Sequence, residues 1–434
     1  MPLAMIDKPP LELNSDFQYA LDEIEQGKSL FITGRAGTGK STLLKLFRNT
    51  TKKKTIVLAP TGVAALNVKG QTIHSFFRFP AKPLSKREIK TLRNRKLYKK
   101  MEVLVIDEIS MVRSDLLDNI DIFLRRNREN PMPFGGVQVV FFGDLFQLPP
   151  VVSSPVEQQL FQGYYKSPYF FSAHVFEEGF EIEMVELRKT YRQESRHFLR
   201  LLDAVRLNQI DQDDLEDLND RYLPHFEPED YYITLSSRNS IVDQINDRQL
   251  RGLETEEYAY MATINGKFAP KLFPTESILK LKEGAQVMFI KNDPQRRFVN
   301  GSIGKVYQLR DDQIVVQVED REGKSKLIEV EKMEWEIERY QNSEEEENEI
   351  KVETVGSFKQ YPLRLAWAIT IHKSQGKTFD KVIIQMGKGA FEHGQTYVAL
   401  SRCRTLDGIV LKQALRYQDV MVDERVVEFY EQHF

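Results

Sequence analysis

The chain has 434 residues, 41% hydrophobic and 29% charged, with a formal net charge of −3, a length that asks for two or three cores rather than one. No apolar run approaches the roughly 18 residues of a membrane-spanning helix, so a membrane protein is excluded, and the opening MPLAMIDKPPLELNSD has early acidic residues and no apolar signal core. Cys403 is the only cysteine, which rules out an internal disulfide or a thiolate zinc cluster and fits a reducing cytoplasm of bacterial type.

In chain order, Asn14 or Ser15 caps a first helix with Phe17, Ala20, Leu21 and Ile24 on one face, and Gly27 stops it. The run SLFIT reads as a buried strand, and it leads into GRAGTGKS, residues 34 to 41, followed by apolar residues at helical spacing. Strand, glycine-rich loop and helix in that order form a phosphate cradle. Gly34, Gly37 and Gly39 let the backbone turn tightly and aim N–H groups at a phosphate on the positive end of the helix, with Thr38 and Thr42 in the same cradle. Lys40 would reach the β and γ phosphates, and the Ser41 hydroxyl would hold magnesium.

Three further apolar runs, TIVLAP, EVLVID and VQVVFFGD, alternate with helix-like segments over the first 190 residues. The pattern predicts an α/β nucleotide-binding core around a parallel sheet covered on both faces. Between Lys82 and Lys100 nine basic residues stand against Glu88 alone, and Ser85 with Glu88 has capping-box spacing, so a helix is expected to start there. Its basic face is either simply solvated or a patch for a phosphate backbone.

The strand VLVID ends in Asp107 and Glu108, where open parallel sheets place their ligand groups. Asp107 would support magnesium through its water shell, and Glu108 would orient or deprotonate an attacking water. Gln147 in GDLFQLPP comes to the same sheet edge, where an amide can sense a γ-phosphate. Arg192 in KTYRQ and Arg402 in ALSRCRT, one from each half of the chain, suggest a nucleotide clamped between domains.

After about residue 195 a second α/β region is expected, with strands YYITLSS, VMFI, KVIIQM and GIVLK. Short alternating strands from about 291 to 358, including QIVVQVED and SKLIEVEKMEWEIERY, with Asn300-Gly301 as a tight turn, predict a small β-barrel inserted into it. The acidic run EEEENE, residues 344 to 349, reads as a solvated loop or strand edge.

Taken together, GRAGTGKS, APTGVAAL, TIHSFF, VIDEISMV, GDLFQLPPV, KTYRQ, WAITIHKSQGKTFD and YVALSRCRT resemble, in order and over nearly the whole chain, superfamily 1 helicases of the petite-integration-frequency (PIF) family, with RecD-like helicases as neighbours. The resemblance implies two RecA-like P-loop domains: residues 1–195, with a small wedge insertion around 65–80, and residues 196–290 with 359–434. It also implies an SH3-like β insertion at 291–358. ATP and Mg2+ are the implied cofactors, with Arg192 and Arg402 as arginine fingers, Gln147 as γ-phosphate sensor, Gln18 as reader of adenine and Gly376 approaching the γ-phosphate. The implied activity is 5′-to-3′ translocation on single-stranded DNA by a monomer, with unwinding of forked or tailed duplex and of G-quadruplexes.

A motor of that kind needs strand contacts on both α/β domains. On the first, Pro60, Thr61 and Gly62 precede a helix and can hold a phosphate. Nearby are His74, Ser75, Phe77, Phe79 and Pro80, where aromatics could stack on bases at about 1–3 kcal/mol each, although half or more of the phenylalanines belong in a core. On the second, Thr370, His372, Lys373 and Ser374 are the candidate backbone contacts. The competing readings are a protein-remodelling ATPase, a DNA-binding module with a decayed site, an RNA-directed translocase and a RecD-like subunit.

Overall fold

The structure is a computed structural model that describes residues 14–434 except 81, 153, 194, 320–322, 343–348 and 388. The opening segment to residue 13 and most of the acidic run therefore lie outside the described residues. Among the described residues no helix is long and apolar enough to cross a membrane.

Six parallel strands form the first sheet: β1 (Leu30–Gly34), β2 (Thr55–Ala59), β3 (Gln71–Thr72), β4 (Val103–Ile106), β5 (Gln138–Phe142) and β6 (Glu183–Leu187), in the order β3-β2-β4-β5-β1-β6. Their near-continuous burial follows from cover on both faces. Alternate residues then feed two different cores: Phe31, Leu58, Ile106 and Phe141 pack on one side, and Ile32, Val57, Val105 and Phe142 on the other.

The first of those cores does not stop at the domain boundary. It runs on through Ile233, Leu235, Ile369, Val382 and Leu411 of a second, four-stranded parallel sheet. That sheet is ordered Ala368–Thr370, Ile233–Ser236, Val382–Gln385, Ile409–Leu411. The last helix, Glu424–His433, crosses back onto the first domain: Phe429 stacks on Phe171 with centroids 4.3 Å apart, and the Tyr430 hydroxyl donates to Glu186 Oε1 at 2.7 Å.

Antiparallel pairing begins at Glu257 and ends at Leu365, a wider stretch than the 291 to 358 where strand alternation shows in the sequence. The run VMFI, expected in the second α/β sheet, instead pairs antiparallel with Ile303–Arg310 and Leu363–Leu365, and the strand Ala368–Thr370 takes the sheet position left over. A short run of apolar residues, three of them buried, looks the same in either kind of sheet, so periodicity does not distinguish the two. The segment SKLIEVEKMEWEIERY breaks at Glu331 into Ser325–Val330 and Met333–Asn342, which lie in different sheets.

The basic segment is not a helix. Ser85 and Glu88 do close their capping box, with the Ser85 N–H donating to Glu88 Oε2 at 2.9 Å, but only the single turn Lys86–Glu88 follows, and Lys96–Lys100 adds one more. Its backbone is held by side chains of the helix Ser114–Arg128: Arg126 donates to the Ile89 carbonyl at 2.6 Å, and Asn127 Oδ1 accepts from the Leu92 N–H at 2.8 Å. Arg95 and Lys99 both pair with Glu129, so part of the positive charge is neutralised locally.

Candidate active site

The phosphate cradle forms where β1 hands over to the helix Lys40–Thr50. Gly37 and Gly39 have φ of +88° and +91°, and each is also pressed by a neighbour: a Cβ on Gly37 would lie 2.6 Å from Arg192 Cβ, and one on Gly39 2.8 Å from the Phe17 ring. Only glycine meets both demands. Lys40 Nζ donates to the Gly34 and Arg35 carbonyls of its own loop at 2.6 and 3.0 Å. Desolvation pulls the Lys40 pKa down against the opposing pull of Asp144 and Glu108. Thr38 is buried, with its hydroxyl on the Arg35 carbonyl, whereas Ser41 and Thr42 are exposed at the helix start.

At the end of β4, Glu108 adopts φ +52°, a left-handed conformation uncommon for a non-glycine residue. Burial, reinforced by Glu108 beside it, pushes the Asp107 carboxyl up to about 7. Burial also raises Glu108, while Lys40 and Arg402 pull it back. The site is thus a desolvated acid pair facing a lysine and an arginine. A divalent cation there would relieve the repulsion, and the exposed Ser41 hydroxyl with the Asp107 carboxylate fit that role.

Gln147 is buried at this edge, and its Nε2 donates to Asp144 Oδ2 at 3.0 Å. Asp144 is itself 1% exposed and faces Arg206, also 1% exposed, with Nη2 3.5 Å from Oδ1. The Arg206 guanidinium stacks over Phe146 at 4.3 Å and Tyr430 at 5.1 Å. Neither Asp144 nor Arg206 stood out in the sequence, although Asp144 lies in the quoted GDLFQLPP and a buried acid at a strand end was a usable signal.

From the other side, Arg402 is buried with Nε on the Val398 carbonyl at 2.9 Å and Nη2 on the Ser401 hydroxyl at 2.8 Å. Arg192 Nη1 donates to the Ser401 carbonyl at 3.0 Å, so both guanidiniums converge on one point of the second domain. Burial depresses both, and the charge of Arg402 depresses Arg192 further. Among the described residues their hydrogen bonds go to carbonyls and a hydroxyl; Glu108 and Asp144 act on Arg402 only through space, and neither arginine forms an ion pair with a carboxylate. An arginine stays charged at neutral pH, so the arrangement favours an anion.

Beside Gly39 lie the Phe17 ring and Tyr191, whose ring is half exposed and whose N–H donates to the Gly37 carbonyl at 2.9 Å. This aromatic edge, also missed in the sequence, adjoins Gln18, whose amide bonds Asp22 within its own helix at 2.7 Å. Gly376 has φ +72° and an open flank.

The expected strand contacts divide into two groups. Phe77 and Phe79 are buried and form a packed aromatic group with Phe76, Tyr98 and Phe123. The stacking expectation is therefore corrected for them: a base cannot reach rings that line the first domain's core. Ser75 and Pro80 remain exposed, and His74 is half-buried, with burial and then Arg113 lowering its pKa. Thr61 caps its helix by accepting the Ala64 N–H, and the Gly62 flank is covered by Leu272 of the β insertion. Pro60 lies beside them, half-buried. On the second domain Thr370 caps its short helix, Ser374 is buried on the Ile371 carbonyl, and His372 pairs with Glu392 at 3.3 Å, which leaves Lys373 exposed.

Comparison with known proteins gives a consistent picture. The family described as PIF1-like helicase matches residues 12–216, and the 2B domain of the DNA helicase Pif1 matches residues 269–309. The ATP-dependent DNA helicase Pif1 of Bdellovibrio bacteriovorus is 34% identical over 97% of this chain and 92% of its own. The Homo sapiens protein named ATP-dependent DNA helicase PIF1 is 33% identical over 96% of this chain, which spans 63% of that relative. Among solved structures, Pif1 from Bacteroides sp in complex with ADP-AlF4 superposes with a TM-score of 0.89 at 39% identity, covering 98% of this chain and 97% of that one. Bacteroides Pif1 bound to single-stranded DNA has the same 39% identity over 97% of each chain but a TM-score of 0.67.

Proposed function

The chain belongs to the PIF1-like helicase family, and from that premise we propose that it is an ATP-dependent DNA helicase whose hydrolytic centre is the cleft between its two parallel-sheet domains. The observation that carries this reading is the pair of guanidiniums, half-buried Arg192 and buried Arg402, which form no ion pair with a carboxylate among the described residues and lie with Lys40 at one phosphate loop. The terminal phosphate of ATP is an anion of the kind that these three cations would hold directly.

Each residue then has a distinct role. Lys40 leaves a loop carbonyl for the β and γ phosphates. Magnesium, when bound, neutralises phosphate charge, and Ser41 and Asp107 are the residues that would hold it. Glu108 orients or deprotonates the attacking water. Gln147 reports the γ-phosphate, and the two arginines stabilise the charge that develops in the transition state, an effect of about three to five orders of magnitude in rate. The half-exposed ring of Tyr191, backed by buried Phe17, offers adenine an apolar edge beside Gln18. Both arginines come from the same chain, which supports hydrolysis by a monomer.

The DNA reading draws on two Pif1 neighbours, the Bacteroides protein bound to single-stranded DNA and a structure of DNA unwinding at a fork by two coordinating Pif1 helicases. We carry single-stranded DNA and forked or tailed duplex to this chain, with 5′-to-3′ polarity and G-quadruplex unwinding as part of the same proposal. Exposed Lys373, Ser75 and Pro80, with the Thr61 helix start, are the contacts that remain accessible for a strand. To test the centre, ATP binding and hydrolysis are measured with and without single-stranded DNA for Lys40→Ala and Glu108→Gln. Lys40→Ala is expected to lose hydrolysis through loss of phosphate binding, and Glu108→Gln to bind ATP yet hydrolyse it at about 10²- to 10⁴-fold reduced rate. Equal loss of ATP binding in both would refute the division of roles.

A further inference from the structure

We propose that Tyr397 is a positioning residue for ATP hydrolysis, its hydroxyl joining the second domain to the phosphate loop and to the loop that carries Gln147. This rests on the hydrolytic site proposed above and adds a group that touches neither phosphate nor water. Tyr397 lies on the helix Gln395–Leu400, which starts at Gly394. The helix start is pressed so closely onto the first domain that a Cβ on Gly394 would lie 2.3 Å from the Gln147 carbonyl oxygen.

Tyr397 is 3% exposed, and both partners of its hydroxyl lie in the other domain. It accepts the Ala36 N–H at 2.9 Å and points its own hydrogen at Asp144 Oδ2, 3.5 Å away. Ala36 immediately precedes Gly37, the glycine against Arg192. Asp144 Oδ2 also accepts the Gln147 amide at 3.0 Å, and its Oδ1 faces Arg206. One hydroxyl thus bridges the cradle that would hold the phosphates and the carboxylate that aims the sensing amide.

A tyrosine that merely filled this interface would need only some local acceptor. Here the partners are 361 and 253 residues distant in sequence, and both belong to the hydrolytic apparatus. The 3.5 Å contact is long for an O–H···O bond, as is common for catalytic hydrogen bonds before the ligand is seated. Docking of the second domain on a bound nucleotide shortens it, and so fixes Ala36 and Gln147 together only when Arg402 has also arrived.

The test compares wild type, Tyr397→Phe, Asp144→Asn, the double variant and Lys40→Ala. ATP hydrolysis is measured at saturating single-stranded DNA, together with the KM for ATP and the melting temperature. Tyr397→Phe is expected to lower kcat about tenfold with KM changed less than twofold and the melting temperature within a few degrees. The double variant should be no slower than the slower single variant, because both remove the same junction. A Tyr397→Phe kcat within twofold of wild type, or fully multiplicative defects in the double variant, overturns the role. If Tyr397→Phe melts below the assay temperature, Asp144→Asn decides, with the same selective fall in kcat expected and an unchanged kcat overturning the proposal. Wild-type hydrolysis that Lys40→Ala abolishes keeps the hydrolytic site standing whatever Tyr397 does, so the two ideas fail separately.

Discussion

Strain and desolvation coincide at Glu108. A non-glycine residue held at φ +52° costs about 1–3 kcal/mol and persists only where the surroundings over-determine it. Here the preceding Asp107 N–H is fixed on the Leu58 carbonyl at 2.9 Å, and the Met111 N–H bonds back to the Glu108 carbonyl at 3.0 Å. The result is two adjacent, half-buried carboxyls, with Asp107 pushed up to about 7 by burial and by Glu108. The linkage has a definite sign. Between the ordinary value of 3.8 and about 7 the folded chain keeps a proton that the unfolded chain has lost, so this group's contribution to stability falls as pH rises through that window. For catalysis the consequence runs the other way, since Asp107 supports magnesium only when ionised. At limiting magnesium, ATP hydrolysis should show an acid limb near pH 7 that moves to lower pH as magnesium is raised. A limb indifferent to magnesium would contradict the assignment of Asp107. Residues of this kind were legible in the sequence because the chemistry is compressed into GRAGTGKS and IDEIS. Asp144 carries a signal in GDLFQLPP that its strand-end position makes usable, whereas Arg206 and Tyr397 do not, because what gives them meaning arrives from distant chain segments.

Elements were legible where one period dominated and ambiguous where burial was complete. The strand, loop and helix around Lys40 follow directly from pattern, whereas VMFI pairs in the β insertion and the basic segment forms two short turns instead of the expected helix. In the latter, the capping box formed, but the turns beyond it are pinned by Arg126 and Asn127 from a neighbouring helix, an override of local signals that sequence spacing cannot report. The IHSFF helix teaches the same lesson about aromatics: Phe77 packs edge-on to Phe123 at 5.2 Å and flat on Phe79 at 5.4 Å, and is 1% exposed. Phe77→Ala should therefore destabilise the fold by about 3–5 kcal/mol, while the folded fraction binds single-stranded DNA within twofold of wild type. Thermal melting and fluorescence anisotropy measure the two quantities. A tenfold loss of DNA affinity with stability unchanged would return this ring to the strand-binding surface.

Across the whole molecule, the β insertion is anchored to the first domain by Tyr340. Its hydroxyl accepts the Val57 N–H at 3.1 Å, and its ring meets Phe76 edge-on at 6.0 Å. The same insertion covers Gly62 with Leu272, so it lies over the APTG segment expected to meet a strand phosphate. The unliganded and ADP-AlF4 neighbours superpose at 0.88 and 0.89, whereas the single-stranded-DNA complex does so at 0.67 with equal identity. The described arrangement thus superposes better on the unliganded neighbour than on the single-stranded-DNA complex. If leaving that arrangement costs free energy, strand affinity is scaled down to the small fraction of molecules that have left it. Tyr340→Ala should then tighten single-stranded DNA binding several-fold; unchanged or weaker binding would mean that the anchor does not oppose the strand.

The central claim is that ATP hydrolysed between the two parallel-sheet domains drives the chain along a DNA strand. It is tested most directly by following, with and without ATP and magnesium, the opening of two partial duplexes that differ only in carrying a 5′ or a 3′ single-stranded tail. The account predicts opening of the 5′-tailed duplex alone, dependent on ATP and lost in Lys40→Ala. Opening of the 3′-tailed duplex instead would contradict the polarity, and failure to open either one with hydrolysis indifferent to DNA would contradict the claim itself.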